Sequence, residues 1–220
     1  MKKIAAIFAH PDDEILGCGA TLSKYSKSGS DVNVLLLSNG YSSRDRNNFS
    51  KDEFDKQISK SLKKIGCSSI IKCDFPDNKM DSVPLLEIVK KIENFIFRFN
   101  PDAIFTHFFG DLNIDHRIVY NAVLTAARPH KYKGKIFSAE INSSTEWNYS
   151  NNFFRPNIYE SVEGYINNKI EAMKLHKNEL MKWPHPRSLE GIKNLSRLRG
   201  QEVGLNYAEA FMLIRDIVKE

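Results

Sequence analysis

A chain of 220 residues, 41% hydrophobic and 27% charged, is long enough for one domain with a substantial core and barely long enough for two. It has no run of 18 apolar residues, which excludes a membrane-spanning helix, and its short apolar start runs into Asp12 and Asp13 without a small-residue cleavage site, as a buried first strand does and a signal peptide does not. The net charge of +5 comes from 32 Lys and Arg spread along the chain without a dense tract, which argues against a nucleic-acid partner and suits an anionic small substrate.

Apolar runs and turn signals predict, in order, a buried strand over residues 3–9, a helix over 14–28 ended by Gly29, and a strand over 32–37. A helix over 52–65 stopped by Gly66 follows, then a strand over 69–73 and a helix over 85–99 between Pro84 and Pro101. Residues 103–109 read as a strand, 116–127 as a helix halted before Pro129, and 135–141 as a fifth strand. Long helices are expected over 161–181 and 189–199, with a closing segment over 207–217 whose type the pattern leaves open. Alternating strands and helices at this spacing predict an α/β fold, a Rossmann-like, mainly parallel sheet of about five or more strands with helices on both faces. The last third is expected to form a C-terminal helical cap, so that residues 1–220 make one domain.

The three cysteines, Cys18, Cys67 and Cys73, form no CxxC, and their odd number argues against a disulfide framework, so reduced thiols in a cytoplasmic protein are expected. Gly17-Cys18-Gly19 lies inside the first helix without a third glycine, and small residues there suit close helix–sheet packing better than a nucleotide loop. His107 falls in the fourth strand and reads as core or as a residue behind the ligands, not as a ligand, while His130 and His176 read as surface histidines.

Ligands of open parallel sheets collect beyond the carboxyl ends of the strands, and two polar clusters fall at such ends. His10-Pro11-Asp12-Asp13-Glu14 follows the first strand, and residues 110–116 follow the fourth. Three carboxylates beside a histidine are costly to bury uncompensated, and a divalent cation neutralises them. His10 and Asp13, three apart, can aim at one point, and His116 is the best third ligand; an imidazole–carboxylate set with one open position suits Zn2+. Asp12 then stands beside the metal as general base, and Asp115 as hydrogen-bond partner of a neighbouring imidazole. Each residue taken alone has a plainer reading: a satisfied polar histidine at a strand end, or Asp12 or Asp13 as a helix cap.

Ala9-His10-Pro11-Asp12-Asp13-Glu14 resembles the AHPDDE signature of the PIG-L/LmbE family of zinc-dependent N-deacetylases, and Gly110-Asp111-Leu112-Asn113-Ile114-Asp115-His116-Arg117 resembles its second motif, which usually ends HxDH. Trp183-Pro184-His185-Pro186-Arg187-Ser188, Arg199-Gly200, Gly204 and Tyr207-Ala208-Glu209-Ala210-Phe211 resemble the carboxyl-terminal pattern of bacterial members. The resemblance implies zinc held by His10, Asp13 and His116, Asp12 as base, and hydrolysis of an N-acetyl group on a glucosamine-type sugar or its conjugate, possible conjugates including nucleotide- and lipid-linked sugars. It also implies a possible homo-oligomer. Asn113 stands where members often carry a histidine implicated in protonation; an amide donates a hydrogen bond but delivers no proton. Either Asp12 serves as base and acid in turn, or His185 supplies the acid. The family also places a substrate-binding arginine near the second strand, where Arg44 and Arg46 both stand, and Arg187 is a further anion contact or a surface residue. The competing readings are a zinc amidase acting on a non-sugar conjugate and a non-catalytic nucleotide- or nucleic-acid-binding module.

Overall fold

The computed structural model describes residues 1–38, 40, 50–149 and 152–218. β1 (Lys3–Phe8), α1 (Asp13–Lys27), β2 (Asp31–Ser38), α2 (Lys51–Lys64) and β3 (Ser69–Phe75) form the first half of the fold. After a 3-10 turn at Met80–Ser82 come α3 (Leu85–Phe99), β4 (Ala103–Thr106), α4 (Ile114–Ala126) and β5 (Lys135–Ala139). β6 (Ile158–Ser161), α5 (Ile166–Met173), α6 (Leu189–Gln201) and β7 (Ala208–Arg215) complete the chain. Among the described residues the strands form one sheet in the order β3-β2-β1-β4-β5-β7-β6. The pairs β1–β2, β2–β3, β1–β4 and β4–β5 are parallel, and β7 runs antiparallel to both β5 and β6.

Alternate residues of the inner strands feed two cores, one on each side. Ile4, Ala6, Phe8, Val34 and Leu36 pack under α1, α2, α5 and α6, while Ala5, Ile7, Leu35 and Ile104 pack under α3 and α4. Both faces are therefore covered, which is why the inner strands read as unbroken apolar runs. The strand order reverses between β1 and β4, so a crevice opens at their carboxyl ends.

The expected C-terminal helical cap is corrected in two places. Residues 161–181 do not form one helix: residues 158–161 pair with β7, and α5 is only eight residues long. The untyped closing segment is β7, inserted between β5 and β6. Cross-strand hydrogen bonds to distant segments decide both, and no local signal carries them. His176, expected at the surface, is buried, and among the described residues neither ring nitrogen has a hydrogen-bond partner.

The helix α1 is broken at Cys18, whose φ of −149° is non-helical. Two buried charges satisfy the backbone groups that the break orphans. The Glu209 carboxylate of β7 accepts the N–H groups of Ala20 (3.2 Å) and Thr21 (2.7 Å), and Lys169 of α5 donates to Leu16 O at 2.6 Å. Lys169 and Glu209 pair with each other at 2.7 Å. Just before the break, a Cβ on Gly17 would sit 2.9 Å from Ile141 Cδ1 and 3.0 Å from Ala139 Cβ, so a larger residue would lift α1 from the sheet. The cap is thus wired to the helix that carries Asp13 and Glu14. Removing one partner strands a buried charge, so Glu209→Ala is expected to cost about 3–5 kcal/mol in guanidinium unfolding, and Lys169→Met/Glu209→Leu to recover much of that loss.

Burial holds the pKa of His176 down at about 4 against an ordinary 6.5. Between those pH values the unfolded chain binds a proton that the folded chain refuses, so stability is full above 6.5 and falls as pH drops toward 4. Unfolding titrations from pH 7 to 4 should show the parent protein losing about 3 kcal/mol more than His176→Met.

Candidate metal centre and active site

β1 ends against α1 in a tight turn, which places His10, Asp12, Asp13 and Glu14 at the crevice. Asp13 and Glu14 are fully buried in the first turn of α1, where the helix N-terminus favours negative charge. α4 begins at Ile114, capped by Asn113, whose side-chain oxygen accepts Asp115 N–H at 2.8 Å, and this turn presents Asp115 and His116 to the same point.

Three ligand atoms converge there. His10 Nδ1 lies 3.2 Å from Asp13 Oδ2, His116 Nε2 lies 3.3 Å from the same oxygen, and the two nitrogens are 3.3 Å apart. Atoms around a tetrahedral zinc with bonds of about 2.0–2.1 Å are about 3.3–3.4 Å from one another, so the triangle has the dimensions of one face of such a site. The other oxygen of that carboxylate, Asp13 Oδ1, is buried and has no hydrogen-bond partner among the described residues. The residues fit a zinc-type cation.

A carboxylate stands beside the other nitrogen of each ligand histidine. His10 Nε2 is 3.0 Å from Asp115 Oδ2 and 3.2 Å from Asp77 Oδ1. Asp115 also accepts the N–H groups of Asn78 (2.8 Å) and Met80 (3.0 Å), so His10, Asp77 and Asp115 form an anchored clamp on one ring. His116 Nδ1 lies 3.0 Å from Asp111 Oδ1, and Asp111 is fixed by the hydroxyls of Ser144 and of Thr145 (2.7 Å). Carboxylates so placed orient metal-binding imidazoles and raise their basicity. His107 stacks on His116 at 3.9 Å and its Nε2 accepts Ala9 N–H at 2.8 Å; that acceptor is therefore already engaged, and the ring supports His116 as core.

Asp12 occupies the N-cap position of α1 with φ 118°, a left-handed conformation costly for an aspartate, and its side chain makes no capping hydrogen bond. Glu14 Oε2 accepts the Asp12 N–H at 3.1 Å and so pins the turn, and burial pushes the Glu14 pKa far up. The Asp12 carboxylate reaches Arg187 Nη1 at 3.1 Å. Arg187 is itself held, its Nε donating to Ser143 Oγ (2.8 Å) and Nη1 lying 3.4 Å from Glu179. In the metal-free protein burial raises the Asp12 pKa to about 8 against the opposing pull of Arg187, and a cation held beside it would favour the charged form that a base needs.

The crevice is a cavity of about 120 Å3 whose lining includes His10, Asp12, Asp77, Asn113, Glu179 and Arg187. The structure thus brings His10, Asp12, Asp13, Asn113, Asp115, His116 and Arg187 together. His185 is half-buried against Trp147, its Nδ1 accepting Arg187 N–H at 3.1 Å, and it is not among the residues that line the cavity. Asn113 Nδ2 donates to Asn78 Oδ1 at 3.1 Å. Arg44 and Arg46 lie outside the described residues. Asp77 and Glu179 escaped the reading of the sequence. Asp77 follows β3 at the same carboxyl edge, so the rule that found the other clusters reaches it; Glu179 lies in an irregular segment that no pattern marks. Larger grooves of about 650 and 820 Å3 run along α3 but gather no comparable cluster of acids and histidines.

This fold and cluster define an α/β protein with a candidate metal centre, and comparison gives the family. Residues 5–127 match the family described as PIG-L: GlcNAc-PI de-N-acetylase, and the chain belongs to that family. The chain is 30% identical over 183 residues to a protein named as the uncharacterised deacetylase YaiS of Escherichia coli K12, covering 80% of this chain and 91% of YaiS. It is 23% identical to the diacetylchitobiose deacetylase of Thermococcus kodakarensis, over 99% of this chain and 85% of that protein. The crystal structure of the conserved protein TT1542 from Thermus thermophilus superposes with a TM-score of 0.80 at 22% identity, covering 100% of this chain and 98% of that one.

In the metal-free protein burial alone would depress His10 and His116. Asp115 and Asp13 outweigh it for His10 and lift its pKa to about 10; Asp13 and Asp111 do so for His116 and lift it to about 9. A cation must displace those protons. Calorimetry at pH 7 in buffers of different ionisation enthalpy should show zinc binding with proton release, affinity rising with pH up to about 9–10, and His116→Ala abolishing stoichiometric uptake.

Proposed function

We propose that the chain is a zinc-dependent hydrolase that removes the N-acetyl group from an N-acetylglucosamine-type amino sugar or its conjugate. The observation that carries the reading is the 3.2–3.3 Å triangle of His10, Asp13 and His116 with a buried, arginine-held carboxylate on the next residue of the turn. The family description and the deacetylase names of two relatives support the reaction type. His10, Asp13 and His116 would hold the zinc, which supplies a Lewis acid for a carbonyl oxygen and brings the pKa of water to about 7.

The remaining chemistry falls to the chain's own side chains. Asp12, fixed by Arg187 and by the strained turn, takes the proton from the attacking water. The hydroxyl adds to the acetyl carbon, the C–N bond breaks, and acetate leaves. The departing amine needs one proton. Asn113 has none to give, and His185 lies outside the cavity lining, so Asp12 returns the proton it took. Arg187 is used inside the protein to hold that carboxylate; as a clamp for an anionic substrate it would have to surrender Asp12.

The test is acetate release from a panel of N-acetylated amino sugars by zinc-loaded protein beside Asp12→Asn, which tolerates a left-handed backbone. Asp12→Asn should bind zinc normally and lose turnover about 10²–10⁴-fold. Arg187→Met should move the acidic limb of the kcat/KM profile up by about one pH unit, since removing a cation from beside a carboxylate favours its protonated form, and Arg187→Lys should restore it. Zinc-loaded protein that releases acetate from none of the sugars overturns the reading.

A further inference from the structure

α3 carries apolar residues on two sides. Ile88, Val89, Ile92, Phe95, Ile96 and Phe99 are buried and face the core, as an amphipathic helix requires. On another side Leu86 and Phe97 are 61% and 86% exposed, an unusual position for two large apolar side chains on one short helix. Lys90 and Glu93 stand between them, and at 100° per residue the four fall within an arc of about 60°. Their successive separations of 4, 3 and 4 residues are those of the d and a positions in a heptad seam. Grooves of about 650 and 820 Å3 run along the two flanks of α3, so a second helix approaching this stripe has room on both sides. The charges on the stripe are also incompletely used. Glu93 spends Oε1 on Lys131 at 2.7 Å and Arg128 at 3.9 Å, and among the described residues nothing meets its Oε2. The Lys90 side chain has no ion pair or hydrogen bond among the described residues.

We infer that a second copy of this chain packs on the stripe, with the two α3 helices antiparallel about a two-fold axis. In an antiparallel seam each a position faces a d position of the other helix, and this stripe is its own complement in that arrangement. Leu86 faces the partner's Phe97, Lys90 faces the partner's Glu93, and the two-fold axis repeats both contacts. Both pairs are centred between positions 91 and 92, so one axis serves all four layers. Parallel helices would set Lys90 on Lys90 and Glu93 on Glu93, so like charges exclude that direction. The apolar pairs supply the attraction, and the ion pairs fix direction and register. An unrelated partner or a lipid surface would require no such internal symmetry. The four layers span about 16 Å of helix, less than a permanent interface needs, so the dimer forms and dissociates with concentration. None of the four residues lines the cavity, and the pairing stands apart from the deacetylase reading.

Sedimentation velocity over about a hundredfold range of micromolar concentrations should show a reversible monomer–dimer equilibrium. Lys90→Glu puts four acids in the middle layers and Glu93→Lys puts four cations there, and each should raise the dimer Kd by about tenfold or more. The double variant Lys90→Glu/Glu93→Lys restores opposite charges and should associate as the parent does. An equimolar mixture of the two single variants should form a heterodimer that neither forms alone. Phe97→Ser should also raise Kd by about tenfold or more, because the apolar pair occurs twice in the dimer. All four changes fall on the outer side of α3, so thermal unfolding followed by circular dichroism should stay close to that of the parent. Where a single charge variant does not fold, the double variant and Phe97→Ser decide the question. A parent protein that is monomeric throughout overturns the inference. A dimer indifferent to the charge reversals and to Phe97→Ser overturns it too, and so do single variants that fold but do not rescue each other.

Discussion

Asp13 is a fully buried carboxylate, and most of the polar structure at the carboxyl edge of the sheet is compensation for it. His10 and His116 outweigh the cost of its burial and hold its pKa far below the usual range. Their own orientation depends on Asp115 and Asp77 on one side and Asp111 on the other. Those carboxylates are tied in turn to backbone N–H groups of the Asn78–Met80 turn and to hydroxyls of the loop after β5. One buried charge thus recruits segments from four strand ends. An array of this kind tolerates no missing partner, because each deletion strands a charge in a low-dielectric setting.

The same logic operates a second time on the far side of α1. The break at Cys18 frees backbone groups that Glu209 and Lys169 satisfy from β7 and α5. The two networks share one short helix: its first turn presents Asp13 and Glu14 to the crevice, and its middle is clamped by the C-terminal strand. The cap is therefore part of what fixes the site. Arg187, from the irregular segment between α5 and α6, reaches Asp12 directly. Strain in the Asp12 backbone is held by the Glu14 carboxyl, which accepts the Asp12 N–H, in keeping with the concentration of backbone strain at functional sites.

Much of this was legible in the chain. β1 to β5 and α1 to α4 stand within a few residues of their expected places, because apolar runs bounded by Gly29, Gly66, Pro84 and Pro101 are local signals. The position of His10 and His116 at neighbouring strand ends followed from one rule about parallel sheets. The last third departs from expectation where its structure depends on distant partners. Residues 158–161 have nothing of their own that marks a strand, and they are one because β7 lies alongside. His176 reads as polar surface and is buried because the chain folds over it.

The sequence by itself determined which residues form the candidate ligand set, the parallel core and the carboxylate beside the point where the ligand atoms meet, since each is encoded by residues close together in the chain or by a periodicity that burial imposes. Only the tertiary structure decided which carboxylate holds which imidazole, that Arg187 faces Asp12 and not solvent, that His185 is turned toward Trp147, and that β7 lies inside the sheet. Those outcomes turn on distances of 3–5 Å between segments far apart in sequence, among them the 175 residues that separate Asp12 from Arg187, and hydrogen bonds and ion pairs at that range leave no periodic trace in the chain that forms them.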